Sequence, residues 1–296
     1  MKNRLLKAVA LLLVLATTFA AAACRSGSGG ASSDSGAREI DSGSETGCVV
    51  NDDGLYSVSL DPYIDNGIPT YAYAGPDGVL ENLRPLYTLN PDIVGWLTVK
   101  NGNGVAFIDY PVVQSYDNNF YLRRSFFGGY ASGGTVFMHY RCNAVDLSKN
   151  TVIFGHNLKD HTLFAQLLKY ASASFCNSAP IIEYSTLYNV YKFKVFAAFY
   201  TTIQFDYIQP SFDNLRDFNA IVGEARARSM VNTNVEVDSS DSIITLSTCA
   251  YVTGVDGARF VVMGRLLREG ESAGGVVATD NTGALDIRQG YRYTGS

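Results

Sequence analysis

The sequence is poor in histidine and tryptophan, and it has no excess of positive charge. Its 296 residues include three histidines and one tryptophan, and 23 basic residues stand against 28 acidic ones, for a net charge of −5. Nucleic-acid binding needs a concentrated basic surface, so we expect no nucleic-acid partner. With so few histidines and no Cys-x-x-Cys pair, the sequence gives little support for a metal site, and we expect no metal and no other cofactor.

The sequence also lacks an apolar run of the roughly 20 residues that a membrane-spanning helix needs. An uncharged run over residues 8–23 follows three basic residues and precedes Cys24, which is the layout of an export signal. Ala-Ala-Ala-Cys is similar to a lipoprotein cleavage box. Residues 1–24 are therefore open to three interpretations: lipidation at Cys24, an uncleaved membrane anchor, or simple secretion. All three predict that the rest of the chain works outside the cytoplasm.

Two polar segments flank the predicted folded domain, which we expect to span residues 48–268. Residues 25–47 are mainly Ser, Gly, Asp and Glu, a composition typical of a disordered linker. A flexible linker of this length spans about 25 Å. Residues 269–296 show no periodicity, so we expect a C-terminal tail without regular structure.

Short strands dominate the folded domain. Eight segments are rich in β-branched and aromatic residues, which predicts a mainly β fold, either a barrel or a sandwich, with added helices. These segments are Val94–Val99, Val105–Asp109, Thr135–Tyr140, Thr151–Phe154, Val190–Thr201, Val235–Val237, Ile243–Thr248 and Arg259–Leu267.

Three helices are predicted between these strands. The first runs from a cap at Asp77 to Leu89, shortened or kinked by Pro85, and the second covers Thr162–Tyr170. The third lies in a long connection between two strands and carries an apolar stripe at spacings of 3, 4 and 3, behind possible caps at Ser211 and Asp213.

The sequence contains five cysteines, and one of them, Cys249, has the surroundings of a nucleophile. If Cys24 takes a lipid, the other four cysteines either form two disulfides or stay free, and their spacing does not decide between these states. Cys249 differs from the rest because it ends the strand-like stretch IITLSTC and precedes a turn-rich loop. A strand hairpin through that loop would bring Arg259 beside the thiol, where a cation stabilises the nucleophilic thiolate.

His156 has a similar position, at the point where the predicted strand Thr151–Phe154 breaks into a loop. Histidine is the usual general acid for protonating a leaving amine. Taken singly, a buried cysteine, a hydrogen-bonded loop histidine and a surface arginine each have an ordinary structural explanation. The combination of Cys249, His156 and Arg259 at strand ends favours a catalytic site.

The order Gly-His-Asn at 155–157, Thr-Leu-Ser-Thr-Cys at 245–249 and Arg259 resembles the sortases, the cysteine transpeptidases of Gram-positive surfaces. The similarity extends from NPDIVGWL at 90–97 to Leu267, and several segments resemble class B, as does the predicted helix between about 211 and 228. The resemblance implies an eight-stranded sortase-type barrel with N-terminal helices and a long helix between its sixth and seventh strands.

The resemblance also implies a mechanism in two halves. Cys249 attacks the carbonyl after the threonine of an Asn-Pro-x-Thr-like sorting signal, His156 protonates the departing amine, and Arg259 donates to the oxyanion or to substrate carbonyls. A peptidoglycan amine, in the wall or in its lipid-linked precursor, then takes the acyl group. The enzyme would work on the extracytoplasmic face of the membrane, tethered at its N-terminus.

Contacts with the sorting peptide are implied for a further set of residues. Phe154 and Ala250 depart from the class B pattern, where a tyrosine and an acidic residue are common, and these changes bear on motif preference. The implied contact residues are Asn118, Ser247, Thr248, Tyr207 and Ile208.

Other functions remain open at the level of the sequence. A thioester that water reaches first would make the same residues a cysteine peptidase, and a pilin-polymerising sortase would use the same chemistry on another acceptor. A non-catalytic binding module on the same barrel would be favoured if Cys249 were buried or paired with Cys142 or Cys176.

Overall fold

The computed structural model describes residues 77–291 and, before them, one short antiparallel pair of strands, β1 (Val49–Val50) and β2 (Tyr56–Ser57). The predicted signal at 1–24, with Cys24, and the predicted linker at 25–47 lie outside the described residues. Within the described part of the chain, no helix is both long enough and apolar enough to cross a membrane.

Eight strands close into a mixed β-barrel, as expected. Around the barrel the order is β10-β11-β8-β7-β3-β4-β5-β6, and the parallel pairing of β6 with β10 closes it. The barrel strands are β3 (Ile93–Lys100), β4 (Ala106–Val113), β5 (Phe137–Met138), β6 (Asn150–Phe154), β7 (Ile181–Thr186), β8 (Val190–Thr201), β10 (Ile243–Cys249) and β11 (Arg259–Leu266).

The predicted number of strands, eight, equals the number in the barrel, but one of the predicted strands is wrong and one barrel strand was missed. Val235–Val237 is not a strand, and the neighbouring β9 (Val231–Thr233) forms instead, outside the barrel. The missed strand is β7, in which Ile182, Tyr184 and Thr186 are buried at the alternate spacing of a strand with one face in the core.

Three α-helices accompany the barrel in the described region. The first, α1 (Arg84–Leu89), is shorter than predicted: it begins after Leu83 with Pro85 in its first turn, and Asp77 does not cap it. The second prediction, Thr162–Tyr170, is realised as a 3-10 helix over Phe164–Ala171, which is followed by α2 (Ala173–Ser178).

The long helix α3 (Leu215–Arg228) lies between the sixth and seventh barrel strands, as the resemblance implied. Its cap is Asn214, whose side chain accepts a hydrogen bond from the Asp217 backbone N–H at 3.0 Å, rather than Ser211 or Asp213. The buried stripe of Phe218, Val222 and Ala225 packs on the outside of the barrel and forms a second apolar cluster there.

The C-terminal segment is folded over residues 269–291, contrary to the prediction. Strand β12 (Ala278–Asp280) pairs with β9, and Ile287 is buried in the main core. Glu271 lies 2.8 Å from the Lys194 ammonium and also pairs with the Arg265 guanidinium. The prediction failed because this segment is held by a few long-range contacts, and these leave no local periodicity.

Candidate active site

Cys249 and Arg259 occupy opposite positions in the antiparallel ladder of β10 and β11. Side chains directly opposite in such a ladder point to the same face of the sheet. The strand pair therefore brings the thiol and the guanidinium to one place at the end of the barrel. The Arg259 Nη1 donates to the backbone carbonyls of Gly257 and Ala258, both at 3.1 Å, which anchors this side chain at the edge of the connecting loop.

His156 lies at the same end of the barrel, in the turn that follows the neighbouring strand β6. Because β6 runs parallel to β10, its C-terminal end lies beside Ser247 and Thr248. The Gly155 N–H donates to the Ser247 carbonyl at 3.2 Å, and the Thr248 hydroxyl donates to the Gly155 carbonyl at 2.7 Å. A Cβ on residue 155 would lie 2.6 Å from the Phe164 ring, so the close approach requires glycine.

One nitrogen of the His156 ring is fixed. Its Nε2 lies 2.9 Å from the Leu122 carbonyl oxygen, and because a carbonyl only accepts, Nε2 carries a hydrogen. That carbonyl is itself confined, since a Cβ on Gly134 would lie 2.5 Å from it, and Gly134 has a φ of +59°. Burial lowers the pKa of His156; the Leu122 hydrogen bond opposes this shift, and the nearby charge of Arg123 adds to it.

The three cysteines in the described region differ in exposure. Cys142 and Cys176 are buried and their thiols are free; burial raises the pKa of both, that of Cys176 to about 12. Cys249 is half-buried and also free. The conditions that would favour a non-catalytic module, a buried or paired Cys249, are therefore not met.

The predicted peptide contacts fall into two groups. Asn118 and Ile208 are half-buried; the Asn118 Oδ1 accepts from the Tyr140 backbone N–H at 3.0 Å. Ser247, Thr248 and Tyr207 are buried. The hydroxyls of Ser247 and Tyr207 lie 2.8 Å apart, and the Thr248 hydroxyl is used by Gly155, so these three side chains build the wall of the site.

Burial raises the pKa of Tyr207, while its bond to Ser247 and the charge of Arg259 oppose that shift. Because Ser247 and Cys249 are two residues apart on β10, their side chains share one face of the sheet, and the hydrogen bond between Tyr207 and Ser247 places the segment before α3 over that face.

Two contributors to the site were not predicted. Asn150, which is fully buried, donates its amide N–H groups to the carbonyls of Tyr207 and Gln209, both at 3.0 Å, and so ties the segment before α3 to β6. Asn157 donates from Nδ2 to the Cys249 carbonyl at 3.0 Å. Neither role has a local signal, because each partner is a backbone carbonyl more than 50 residues away in sequence.

A family model describing the sortase domain matches residues 104–267. The chain belongs to the sortase family, in class B. It is 38% identical over 189 residues to Sortase B of Listeria monocytogenes, covering 64% of this chain and 75% of that protein. Identity to Sortase B of Staphylococcus aureus is 33% over 192 residues, with coverages of 64% and 77%.

Solved class B structures share the fold. The 2.0 Å crystal structure of Staphylococcus aureus Sortase B aligns with a TM-score of 0.59 at 33% identity, covering 64% of this chain and 88% of that one. A Staphylococcus aureus sortase B–substrate complex gives 0.58 at 33% identity, with coverages of 65% and 87%. A Sortase B complexed with triglycine gives 0.57 at 34% identity, with coverages of 63% and 86%. The sortase is accordingly a cysteine transpeptidase, of a family found at Gram-positive cell surfaces.

Among residues 77–291 of the sortase, no group of three or more His, Cys, Asp or Glu side chains is placed to hold a metal ion. The departures at Phe154 and Ala250 leave the positions of the reacting groups intact: Phe154 pairs with Ser247 in the ladder, and the Ala250 N–H donates to the Ala258 carbonyl at 2.9 Å.

Proposed function

We propose that Cys249 is the nucleophile of this transpeptidase, with His156 as the general acid and Arg259 as the donor to developing negative charge. The observation that carries this assignment is the ladder position of Cys249 opposite Arg259, with the His156 turn hydrogen-bonded to the adjoining residues of β10. The guanidinium on the same face of the sheet is positioned to meet negative charge that develops next to the sulfur.

The first half-reaction follows from this arrangement. The Cys249 sulfur attacks the carbonyl carbon that follows the threonine of the sorting signal, and the oxyanion receives hydrogen bonds from Arg259. His156 takes the thiol proton of Cys249 as the sulfur attacks and gives it to the departing amine, the C–N bond breaks, and a thioester remains on the enzyme. In the second half, an amine of the peptidoglycan displaces the thiolate and takes the acyl group.

Of the residues implied in peptide recognition, some are proposed to contact the peptide and others to support the site. We assign direct contact with an Asn-Pro-x-Thr-like peptide to Asn118 and Ile208, which are half-exposed. Because Ser247 and Tyr207 are buried and bonded to each other, we assign them to the wall of the peptide site. Thr248 holds the Gly155 carbonyl and so positions the His156 turn.

The test is turnover and intact-mass analysis with fluorogenic Asn-Pro-x-Thr and Leu-Pro-x-Thr peptides, with and without an added amine. We expect cleavage after threonine, an acyl adduct on the wild type and transfer to the amine, all lost in Cys249→Ala. Cys142→Ala is the matched control, because its thiol is free but buried. Cleavage that persists in Cys249→Ala would refute the assignment, and cleavage without transfer would indicate a peptidase.

For the N-terminus we propose attachment to the extracytoplasmic face of the membrane, through a lipid on Cys24. The support is the Ala-Ala-Ala-Cys stretch after an uncharged run. Inhibition of the lipoprotein signal peptidase in cells should then leave a heavier precursor. An unchanged mass would exclude lipidation and leave an uncleaved anchor or secretion.

A further inference from the structure

A fully buried arginine, Arg228, is the last residue of the long helix α3. A buried guanidinium is costly unless an opposite charge and hydrogen bonds replace its contacts with water. Its Nε donates to Glu224 Oε1 at 2.8 Å, its Nη2 lies 2.7 Å from the same oxygen, and its Nη1 donates to the Thr201 hydroxyl at 3.1 Å. Because this side chain is buried, it cannot touch a substrate and can act only through its neighbours.

Thr201 connects Arg228 to the residues that carry the chemistry. It ends β8 and lies directly opposite Arg259 in the ladder of β8 with β11. Arg259 in turn lies opposite Cys249, so the side chains of Thr201, Arg259 and Cys249 form one row on the same face of the sheet. Arg228 therefore bonds to a member of the row that contains the thiol.

Arg228 also contacts the connection that builds the wall of the peptide site. Its guanidinium carbon lies 4.8 Å from the ring centroid of Phe205. The ring centroids of Phe205 and Tyr207 are 5.9 Å apart, and both rings pack against Phe199 of β8, at 5.9 and 6.4 Å. Since Tyr207 bonds to Ser247 in that wall, a single side chain separates Arg228 from it.

The C-terminal segment begins after the matched sortase domain has ended, and it holds the end of α3. The Leu285 N–H donates to the Ala227 carbonyl at 2.9 Å. Asn281 donates from its backbone N–H to the Met230 carbonyl and from Nδ2 to the Ser229 carbonyl, both at 2.8 Å. The last carbonyls of a helix lack partners within it, so these bonds fix the end of α3 from outside.

Tyr291, in the same segment, completes the surroundings of Arg228. Its ring centroid lies 5.0 Å from the guanidinium carbon, and its hydroxyl donates to Glu224 Oε1 at 3.3 Å. The guanidinium therefore contacts two aromatic rings, one from the connection before α3 and one from the C-terminal segment. Hydrogen bonds in the plane of a guanidinium and rings packed against it together restrict its orientation.

We propose that Arg228 is a positioning residue for the sorting-peptide site, and that the C-terminal segment, through Tyr291, keeps it in place. The inference rests on the proposed function, which defines the peptide site. Arg228 holds the Phe205 ring against Tyr207, and it holds Thr201 at the end of β8. Binding of the sorting peptide thus depends on a segment that lies beyond the matched sortase domain.

The experiment measures steady-state turnover of a fluorogenic Asn-Pro-x-Thr peptide by the full chain and its variants. Tyr291→Leu removes the ring from Arg228, so the wall of the peptide site loosens while the thiol and the imidazole keep their positions. We expect the peptide KM to rise about fivefold with little change in kcat. Tyr291→Phe keeps the ring and loses only the bond to Glu224, so its KM should stay near the wild-type value.

A substitution of the arginine tests the link itself. Arg228→Met removes the guanidinium and leaves Glu224, whose side chain is 24% exposed, in contact with water. We expect the peptide KM to rise about tenfold. Because Tyr291 acts through Arg228, the double variant Arg228→Met/Tyr291→Leu should have the KM of Arg228→Met alone. Additive effects on KM would overturn the inference. If Arg228→Met does not fold, the half-buried Tyr291 still provides the test.

Glu271→Gln is the control for a general loss of stability. It weakens the attachment of the same segment to Lys194 and Arg265, which lie at the far ends of β8 and β11 from the thiol. We expect a lower urea midpoint and an unchanged KM. An unchanged KM in Tyr291→Leu, or an equal rise in Tyr291→Leu and Glu271→Gln, would overturn the inference.

Intact mass without an added amine separates this inference from the proposed function. An acyl adduct on Cys249 in the wild type, together with an unchanged KM in Tyr291→Leu, overturns the positioning role of Arg228 alone. Absence of both the adduct and turnover in the wild type overturns the proposed function and the positioning role together.

Discussion

His156 shows how much of the active site depends on the surroundings of one side chain. Its Nε2 is committed to the Leu122 carbonyl, so the proton transfers proposed above use the other ring nitrogen. Burial keeps the imidazole neutral to lower pH than an exposed histidine. The same shift couples this residue to the stability of the fold.

We expect acid to destabilise the wild type more than His156→Gln. The pKa of His156 is lower in the folded than in the unfolded chain, so between about pH 7.5 and 5.0 the unfolded chain binds a proton that the folded one rejects. Urea midpoints of both proteins at the two pH values measure this difference. His139, whose pKa is also lowered by burial, is present in both proteins, so its contribution cancels. A difference in urea midpoint between the two proteins that is the same at both pH values would contradict the prediction.

A substitution at Arg259 tests whether activity depends on the geometry of this side chain or only on its charge. Arg259→Lys keeps the charge but loses the guanidinium that donates to two carbonyls. We expect kcat/KM with the sorting peptide to fall by about 10²- to 10³-fold, the usual effect of removing an oxyanion donor. The urea midpoint should change little. Arg216→Lys, on the exposed face of α3, is the control and should retain full activity.

At the scale of elements, the connection between β8 and β10 shapes the site more than any single strand. The Asn150 side-chain amide donates to the carbonyls of Tyr207 and Gln209 in this connection. Its Oδ1 accepts from the Thr245 hydroxyl at 2.7 Å. The peptide site therefore depends on Asn150, a side chain on β6 that lies outside the connection itself.

We expect Asn150→Ala to lower the free energy of unfolding by about 1–3 kcal/mol, because buried carbonyls lose their donors. The KM for the sorting peptide should rise roughly fivefold as the connection loosens, equivalent to about 1 kcal/mol. Urea unfolding and steady-state kinetics measure the two effects. Thr245→Val is the matched control: it removes the other bond of Asn150, so stability should fall while KM is unchanged. Equal KM changes in both variants would mean that Asn150 supports the barrel alone.

The sequence was sufficient for the barrel strands that are dense in β-branched and aromatic residues and insufficient for β7, which is not. The prediction of Ile243–Thr248 falls one residue short of β10, and that of Val190–Thr201 matches β8, since both are dense in β-branched and aromatic residues. The strand β7 was missed because Ser, Thr and Glu dilute that signal in Ile181–Thr186. Its place in the barrel is fixed by pairing with β3 and β8, which are remote contacts.

For the candidate site, the sequence allowed the reacting groups to be proposed but not their surroundings. Cys249, His156 and Arg259 could be selected because their residue types are rare or reactive and stand at strand ends. The Leu122 carbonyl could not, because every residue has a carbonyl. The roles of Ser247 and Thr248 could not be predicted either. Their hydroxyls are taken up by Tyr207 and by the Gly155 carbonyl, and both partners are remote in sequence.

At the scale of the whole molecule, the C-terminal segment joins parts of the fold that are far apart in sequence. Glu271 accepts from Lys194 on β8 and Arg265 on β11, two cations that are themselves nearly buried. These hydrogen bonds, that of Arg265 first, lower the pKa of the Glu271 carboxyl well below its usual range.

We expect Glu271→Gln to lower the free energy of unfolding by about 1–3 kcal/mol at pH 7, the range for hydrogen bonds to charged groups. The carboxylate contributes above its usual pKa near 4.5 and loses this contribution as pH falls through the lowered folded value. The difference in free energy of unfolding between variant and wild type, measured in urea, should therefore become smaller from about pH 7 to pH 3.5. Glu269→Gln, two residues earlier, is the control. A gap that widens in acid would contradict the role of the ion pair.

The loop that joins β10 to β11 is closed on itself, by the Ala250 N–H to the Ala258 carbonyl and by a bridge between Val252 and Val255. The ladder that aligns Cys249 with Arg259 lies entirely outside this loop. Changes of length or composition between residues 251 and 256 can accordingly accumulate without disturbing the alignment of thiol and guanidinium, because Arg259 is held by the carbonyls of Gly257 and Ala258. Evolution, or a protein engineer, is thus free to exchange most of this loop for another and so remodel the surface beside the thiol, while the paired strands that hold the reacting groups are inherited unchanged.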